Sequence, residues 1–180
     1  MIKNKQLINK IKMEPMSDAD IREYLPNDDN IIEYSEIRKY KDIDEMLPHP
    51  NSYKVILYEQ ENNEGHWCAI KTDGKIIFYF DSYGNKIDHP LNWSKDNNYR
   101  LGQGKHYLTN LLNKTNKQVQ YNDVAYQAPS YDLATCGAHC VSFIKSNKNL
   151  KDYFKMMKQL KKQTGKTYDD IVASKYSIRL

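Results

Sequence analysis

The sequence predicts an α+β fold, with one central mixed or antiparallel sheet flanked by helices, from three observations. The middle of the chain holds three closely spaced runs of aromatic and β-branched residues, "YKVILYE" (53–59), "HWCAIK" (66–71) and "KIIFYFD" (75–81), the composition expected of strands. Stretches with helical spacing lie on both sides of that block. No internal repeat or domain boundary interrupts the 180 residues, a length that suits one domain with a sizeable core better than two.

The elements follow in order. Residues 1–16 are polar and basic without a clear period, and are expected to form a flexible N-terminal arm ahead of a single domain over 17–180. "SDADIREYL" (17–25) reads as a short helix, with Ser17 as N-cap, Asp20 closing a capping box and Pro26 just past the end. A second helix is expected over 35–47, before Pro48 and Pro50. After the three strands, "LGQGKHYLTNLLNK" (101–114) puts Leu108, Leu111 and Leu112 on one helical face, and "QVQYNDV" (118–124) reads as another strand. The loop "AYQAPSYDLAT" leads into "CGAHCVSFIKS", where Cys140, Val141 and Ile144 fit a buried stripe. From Asn149 an amphipathic helix carries Tyr153, Phe154, Met157 and Leu160. Its lysines at 151, 155, 158, 161, 162 and 166 read as a solvated face in preference to a binding surface.

Composition narrows the function classes. Hydrophobic residues make up 39% and charged residues 28%, and the mean hydropathy is −0.85, yet 15 tyrosines add burial area that such scales undercount. A folded chain is expected, not a disordered one. The N-terminus has no signal-like apolar run, and no stretch nears the roughly 18 apolar residues of a membrane span. Three cysteines are therefore expected as reduced thiols in an intracellular setting, without a disulfide frame. The net charge of +4 comes almost entirely from lysine, with arginine only at 22, 38, 100 and 179. That pattern fits an AT-rich genome better than a phosphate-reading surface.

Two segments concentrate the reactive side chains: "GHWCAI" (65–70) and "ATCGAHC" (134–140) hold His66, His139 and all three cysteines. The "TDG" at 72–74 signals a hairpin. A two-residue Asp73-Gly74 turn places Thr72 opposite Lys75, Ile70 opposite Ile77, Cys68 opposite Tyr79 and His66 opposite Asp81. Directly opposed residues share a face about 5.5 Å apart at Cα. An imidazole and a carboxylate would thus meet at the open end of the hairpin, the pairing that fixes a histidine's tautomer. A surface His–Asp pair has the same signature, and a register slip would alter the pairing.

Cys136 stands where a loop becomes a helix. The helix N-terminus favours thiolate there, and its unpaired first-turn N–H groups can face an oxyanion. Gly137 lets another chain approach the backbone closely. Cys68 and Cys140 are expected in the core. A zinc reading is open as well, since His66, Cys68, Cys136 and Cys140 (or His139) are suitable ligand types, although H-x-C and C-x3-C match the usual zinc knuckles poorly.

"GHWCAI", "IFYFDSYG" and "YQAPSYDLATCGAHCVSFI", in this order, resemble the adenovirus maturation protease (adenain) and its relatives, including the SUMO-specific proteases. The look is nearest to the virophage (mavirus-like) and polinton versions, over about residues 17–145. The resemblance implies a permuted papain-like cysteine protease fold with His66 as general base, Asp81 orienting it, Cys136 as nucleophile and Gln127 as the oxyanion-hole side chain. Trp67 matches the aromatic that covers a narrow substrate groove. Gln127 lies nine residues before Cys136, a couple more than in the adenovirus and SUMO enzymes, and Gln120 is the fallback. The chain has no cysteine between Cys68 and Cys136, where the adenovirus enzyme tethers an activating peptide.

What the resemblance implies is a thiol endopeptidase that processes viral capsid or core precursors after small residues such as glycine, in the host cytoplasm and the virion. It implies no cofactor and no membrane partner, and a monomer, with DNA as an additional partner by analogy and from the basic tail. An isopeptidase that removes ubiquitin or SUMO is the alternative enzyme, and a non-catalytic or zinc-bound binding module is the alternative outside enzymes.

Overall fold

The computed structural model describes residues 2–176; Met1 and residues 177–180, the end of the expected domain, lie outside the described residues. The architecture is α+β. Five strands, β1 (Ile31–Glu33), β2 (Tyr53–Glu61), β3 (Glu64–Thr72), β4 (Ile76–Asp81) and β5 (Gln118–Tyr121), form one sheet in the order β1-β2-β3-β4-β5. The central pairs β2/β3 and β3/β4 are antiparallel, and the outer pairs β1/β2 and β4/β5 are parallel, so the sheet is mixed.

Both faces of the sheet are covered, which is why its central strands read as continuous apolar runs. Alternation sorts their residues between two cores. Val55, Leu57, Ala69, Phe78 and Phe80 pack with α5 (Cys136–Ser146), α6 (Leu150–Thr164) and α7 (Tyr168–Lys175). Ile56, Tyr58, Cys68, Ile70, Ile77 and Tyr79 pack with a 3-10 turn (Tyr34–Lys39), α3 (Ile43–Met46) and α4 (Tyr107–Leu112). Helix α5 is buried on every residue from Cys136 to Ile144, and Phe143 stacks on Phe80 with centroids 4.7 Å apart.

The helix α2 (Asp18–Tyr24) has the expected Ser17/Asp20 capping box. Elsewhere the structure differs from expectation. Residues 1–16, expected as a flexible arm, contain helix α1 (Ile2–Met13), tied to α7 by a Lys12–Asp170 ion pair of 2.7 Å. The helix expected over 35–47 breaks at 40–42: Tyr40 is extended, and Asp42 starts α3 by accepting from Glu45 N–H. The one expected over 101–114 shortens to α4, because Gly102 has φ +72° and Gln103 turns inward. Gln103 brackets Glu59 of β2, accepting its N–H at 2.9 Å and donating to its C=O at 2.7 Å, as a neighbouring strand would. Short β1 and α7 had no expected counterpart.

The hairpin register also differs. Thr72 pairs with Ile77, Ile70 with Tyr79 and Cys68 with Asp81, and Asp73 N–H bonds Ile76 C=O at 3.2 Å, so the tip is Gly74-Lys75, one residue further along than Asp73-Gly74. Asp73 is the cause: its carboxylate accepts the N–H groups of Lys75 and Ile76 at 2.8 and 2.7 Å and holds the displaced turn, with Gly74 at φ +99°. His66 is therefore not directly opposite Asp81. The slip is even, however, so both side chains keep one face and become diagonal neighbours, still within reach of a long side chain.

Candidate active site

The diagonal is bridged. His66 Nε2 lies 3.0 Å from Asp81 Oδ1, with both residues buried. Three hydrogen bonds from two residues hold Asp81. Tyr83 N–H donates to Oδ1 at 2.8 Å. Asn122, just past β5, accepts Asp81 N–H at 2.8 Å and donates to Asp81 C=O at 2.7 Å, replacing a ladder that β5 is too short to make. Asp81 Oδ2 has no hydrogen-bond partner among the described residues.

Cys136 is the first residue of α5 and is 6% exposed. Helix α5 reaches the site because β4 ends opposite Cys68, one residue short of Trp67. The Trp67 peptide bonds the helix instead: its N–H serves Cys136 Sγ, and its C=O accepts from Cys140 Sγ at 3.3 Å. Cys140 is thus a core thiol, as expected.

The electrostatics couple His66 and Cys136. Burial raises the Cys136 pKa, but hydrogen bonding and charge from His66, with the N–H groups of Trp67 and Gly137, outweigh it and bring the thiol below its ordinary value. Burial likewise opposes charge on His66. The charges and hydrogen bonds of Cys68, Asp81 and Cys136 outweigh it and raise the imidazole well above the ordinary histidine value. Burial pushes Cys68 itself up to about 12. At neutral pH Cys68 is therefore an S–H dipole and not a charged partner of His66. With Nε2 taken by Asp81, Nδ1 is the nitrogen left for the thiol.

Gln127 is buried in a fixed orientation. Its Oε1 accepts from Ser82 Oγ at 2.8 Å, and its Nε2 donates to Tyr83 Oη at 3.0 Å and Leu133 C=O at 3.1 Å. The Tyr83 ring stacks on His66 at 5.2 Å. His66, Asp81, Cys136 and Gln127 thus all connect through Tyr83 and His66. Gln120 lies on β5 opposite Phe78. Gly137 needs its missing Cβ for this chain's own packing: a Cβ there would lie 2.9 Å from Met16 Cβ and 3.3 Å from Trp67 Cδ1. The chain that closely approaches Gly137 is therefore this one. Trp67 donates its Nε1–H to Met16 C=O at 2.9 Å. With Gly65, it lines a cleft of about 870 Å³ that runs past α2 to edge strand β1. The carboxylates of Asp18, Glu33, Glu36 and Glu64 line this cleft against the guanidinium of Arg22.

The four-ligand zinc set is not assembled, since His139 bonds Asp169 at 3.1 Å and Cys140 bonds Trp67. A different trio, His66, Cys68 and Asp81, has ligand atoms within 4.8 Å of one another. Several site neighbours had no expected role: Tyr83, Ser82, Asn122, and Trp93, whose indole packs edge-on against His66 at 5.2 Å. Ser82 and Tyr83 follow Asp81 directly, so the FDSYG segment carried their signal. Nothing in the local sequence marks Trp93.

No family model matches the chain. It is 36% identical over 132 residues, 70% of this chain and 73% of the other, to "Uncharacterized protein V9" of Sputnik virophage. The chain belongs to the family of that virophage protein. This accords with the virophage look of the three segments and sets the chain in a viral context. No described helix is long and apolar enough to cross a membrane.

Proposed function

We propose that the chain is a thiol endopeptidase of permuted papain-like architecture that cleaves capsid or core precursors during virion maturation, after small residues such as glycine. One observation carries the reading: a buried imidazole joins Asp81 to Cys136, a thiol at a helix N-terminus whose pKa is lowered. Structural thiols buried in apolar surroundings shift the other way, as Cys68 and Cys140 do.

In this mechanism Cys136 passes its proton to His66 Nδ1 and the thiolate attacks the scissile carbonyl. Asp81 fixes the tautomer and carries the countercharge of the imidazolium. The tetrahedral oxyanion takes the Cys136 N–H and the Gln127 amide, whose bond to Tyr83 Oη opens to admit it. His66 then protonates the leaving amine, and water drawn through the same imidazole hydrolyses the thioester. The cleft that ends at Trp67 receives the polypeptide. A viral setting assigns such an enzyme to the host-cell virus factory and the virion. It would act as a monomer, and the exposed lysines of α6 would be the surface for any DNA cofactor.

The direct test incubates the purified protein with the structural proteins of the same virophage and sequences the new N-termini. Cleavage after small residues, absent in Cys136→Ala, supports the proposal; release of a ubiquitin-like modifier without precursor cleavage favours the isopeptidase. A metal-holding module has one observation in its favour, the His66–Cys68–Asp81 trio with its unpartnered Asp81 Oδ2. Metal binding there must first deprotonate Cys68 against a pKa of about 12. Stoichiometric zinc in the purified protein, lost in Cys68→Ser, would establish that reading.

A further inference from the structure

Helix α7 reaches the candidate site through one buried carboxylate. Asp169, 3% exposed, receives three donors. Ala128 N–H binds Oδ2 at 3.1 Å, while Thr135 Oγ and His139 Nε2 bind Oδ1 at 2.5 and 3.1 Å. Ala128 follows Gln127, Thr135 precedes Cys136, and His139 lies one helical turn beyond Cys136. The carboxylate therefore grips both ends of the loop 128–135 that separates Gln127 from Cys136. The tip of that loop, Tyr131, is fully exposed.

We propose that Asp169 is a positioning residue: it clasps the loop at both ends and so sets the spacing between the Gln127 amide and the first turn of α5, where an oxyanion would sit. This inference rests on the cysteine-hydrolase reading above. Two details argue for a clasp that orients the site over generic packing. Thr135 occupies the N-cap position of α5 but makes no capping bond; its hydroxyl goes to Asp169 instead. Burial keeps His139 neutral, while hydrogen bonds from His139, Thr135 and Ala128 outweigh burial and keep Asp169 ionised. The full carboxylate charge is thus available to three donors. Asparagine at 169 has the same shape but a single acceptor atom, and its amide would oppose one of the donors.

The experiment compares wild type, Asp169→Asn and Thr135→Val as full chains with two probes. Iodoacetamide needs only the Cys136 thiolate. The peptidyl aldehyde acetyl-Gly-Gly-glycinal adds the thiol reversibly, and its carbonyl oxygen must occupy the oxyanion seat. The pH profile of Cys136 alkylation is expected to stay within about twofold of wild type in both variants, because His66 and Asp81 are untouched. Protection of Cys136 is expected to need about tenfold or more aldehyde in Asp169→Asn, part of the ~10²–10³ lost when an oxyanion donor is removed outright. Thr135→Val, which removes one bond of three, is expected in between and carries the test if Asp169→Asn does not fold. Unchanged protection in the variants overturns the inference, as does a parallel shift in alkylation and protection, the mark of a purely structural role. If Cys136 of the wild type reacts no faster than Cys68, the hydrolase reading falls and this inference falls with it. If the wild type is reactive and protected while both variants match it, the inference falls alone.

Discussion

At the scale of single residues, function turns on which buried groups hold charge. His66 and Cys136 shift in opposite directions, imidazole up and thiol down, and both shifts favour an imidazolium–thiolate pair. The expected pH–rate profile is a bell whose acid limb tracks the lowered Cys136 pKa and whose alkaline limb tracks the raised His66 pKa. Replacing Asp81 by Asn removes the countercharge and is expected to lower kcat about 10²-fold or more with little change in KM, measured on any cleaved peptide. Asn122→Ala acts one step further out. It strips Asp81 N–H and C=O of their partners and is expected to cost about 1–3 kcal/mol in urea unfolding. The His66–Asp81 pairing was legible in the sequence because the two residues sit in strands whose spacing shares a face. Asn122 and Trp93 were not, because their roles depend on where β5 stops and how a distant loop folds back.

At the scale of elements, the β3–β4 hairpin shows how a wrong turn can leave a right pairing. Period-2 alternation fixed the face of each side chain, and the Asp73 side chain holds a turn displaced by one residue, which moved the register by an even step. An odd step would have put His66 and Asp81 on opposite faces. Strand β3 also carries a titratable strain. Lys71 is buried with its ammonium 4.0 Å above the Phe143 ring, and burial lowers its pKa to about 8 from an ordinary 10.5. Between those values the unfolded chain binds the extra proton, so stability is expected to rise as pH increases from about 8 towards 10.5. Lys71→Met should abolish that rise and stabilise the protein at pH 7 by on the order of 1–3 kcal/mol, read from urea midpoints at several pH values. The helices expected over 35–47 and 101–114 failed for a local reason: capping by Asp42 and the left-handed Gly102 reset the backbone within otherwise helical patterns.

Across the whole molecule, the segment 12–16 and helix α7 meet at the site. Met16 packs on Gly137 and accepts from the Trp67 indole, Lys12 C=O accepts Ala134 N–H at 2.7 Å, and α7 supplies Asp169. The central sheet and the buried stripe of helix α5 could be read from composition and periodicity. The contributions of α1 and α7 could not, because they are tertiary contacts across stretches of chain from 30 residues (His139 to Asp169) to 158 residues (Lys12 to Asp170) long. Removal of residues 1–16 is expected to lower Tm by several degrees, since burying one Met16-sized side chain contributes about 1.5–3 kcal/mol. The most direct test of the central claim maps iodoacetamide labelling of the three thiols by mass spectrometry across pH, in wild type and His66→Ala. The account predicts that Cys136 labels stoichiometrically and faster than Cys68 or Cys140, stays reactive below the ordinary thiol pKa, and loses this advantage without His66. Equal, slow labelling of all three thiols would contradict it.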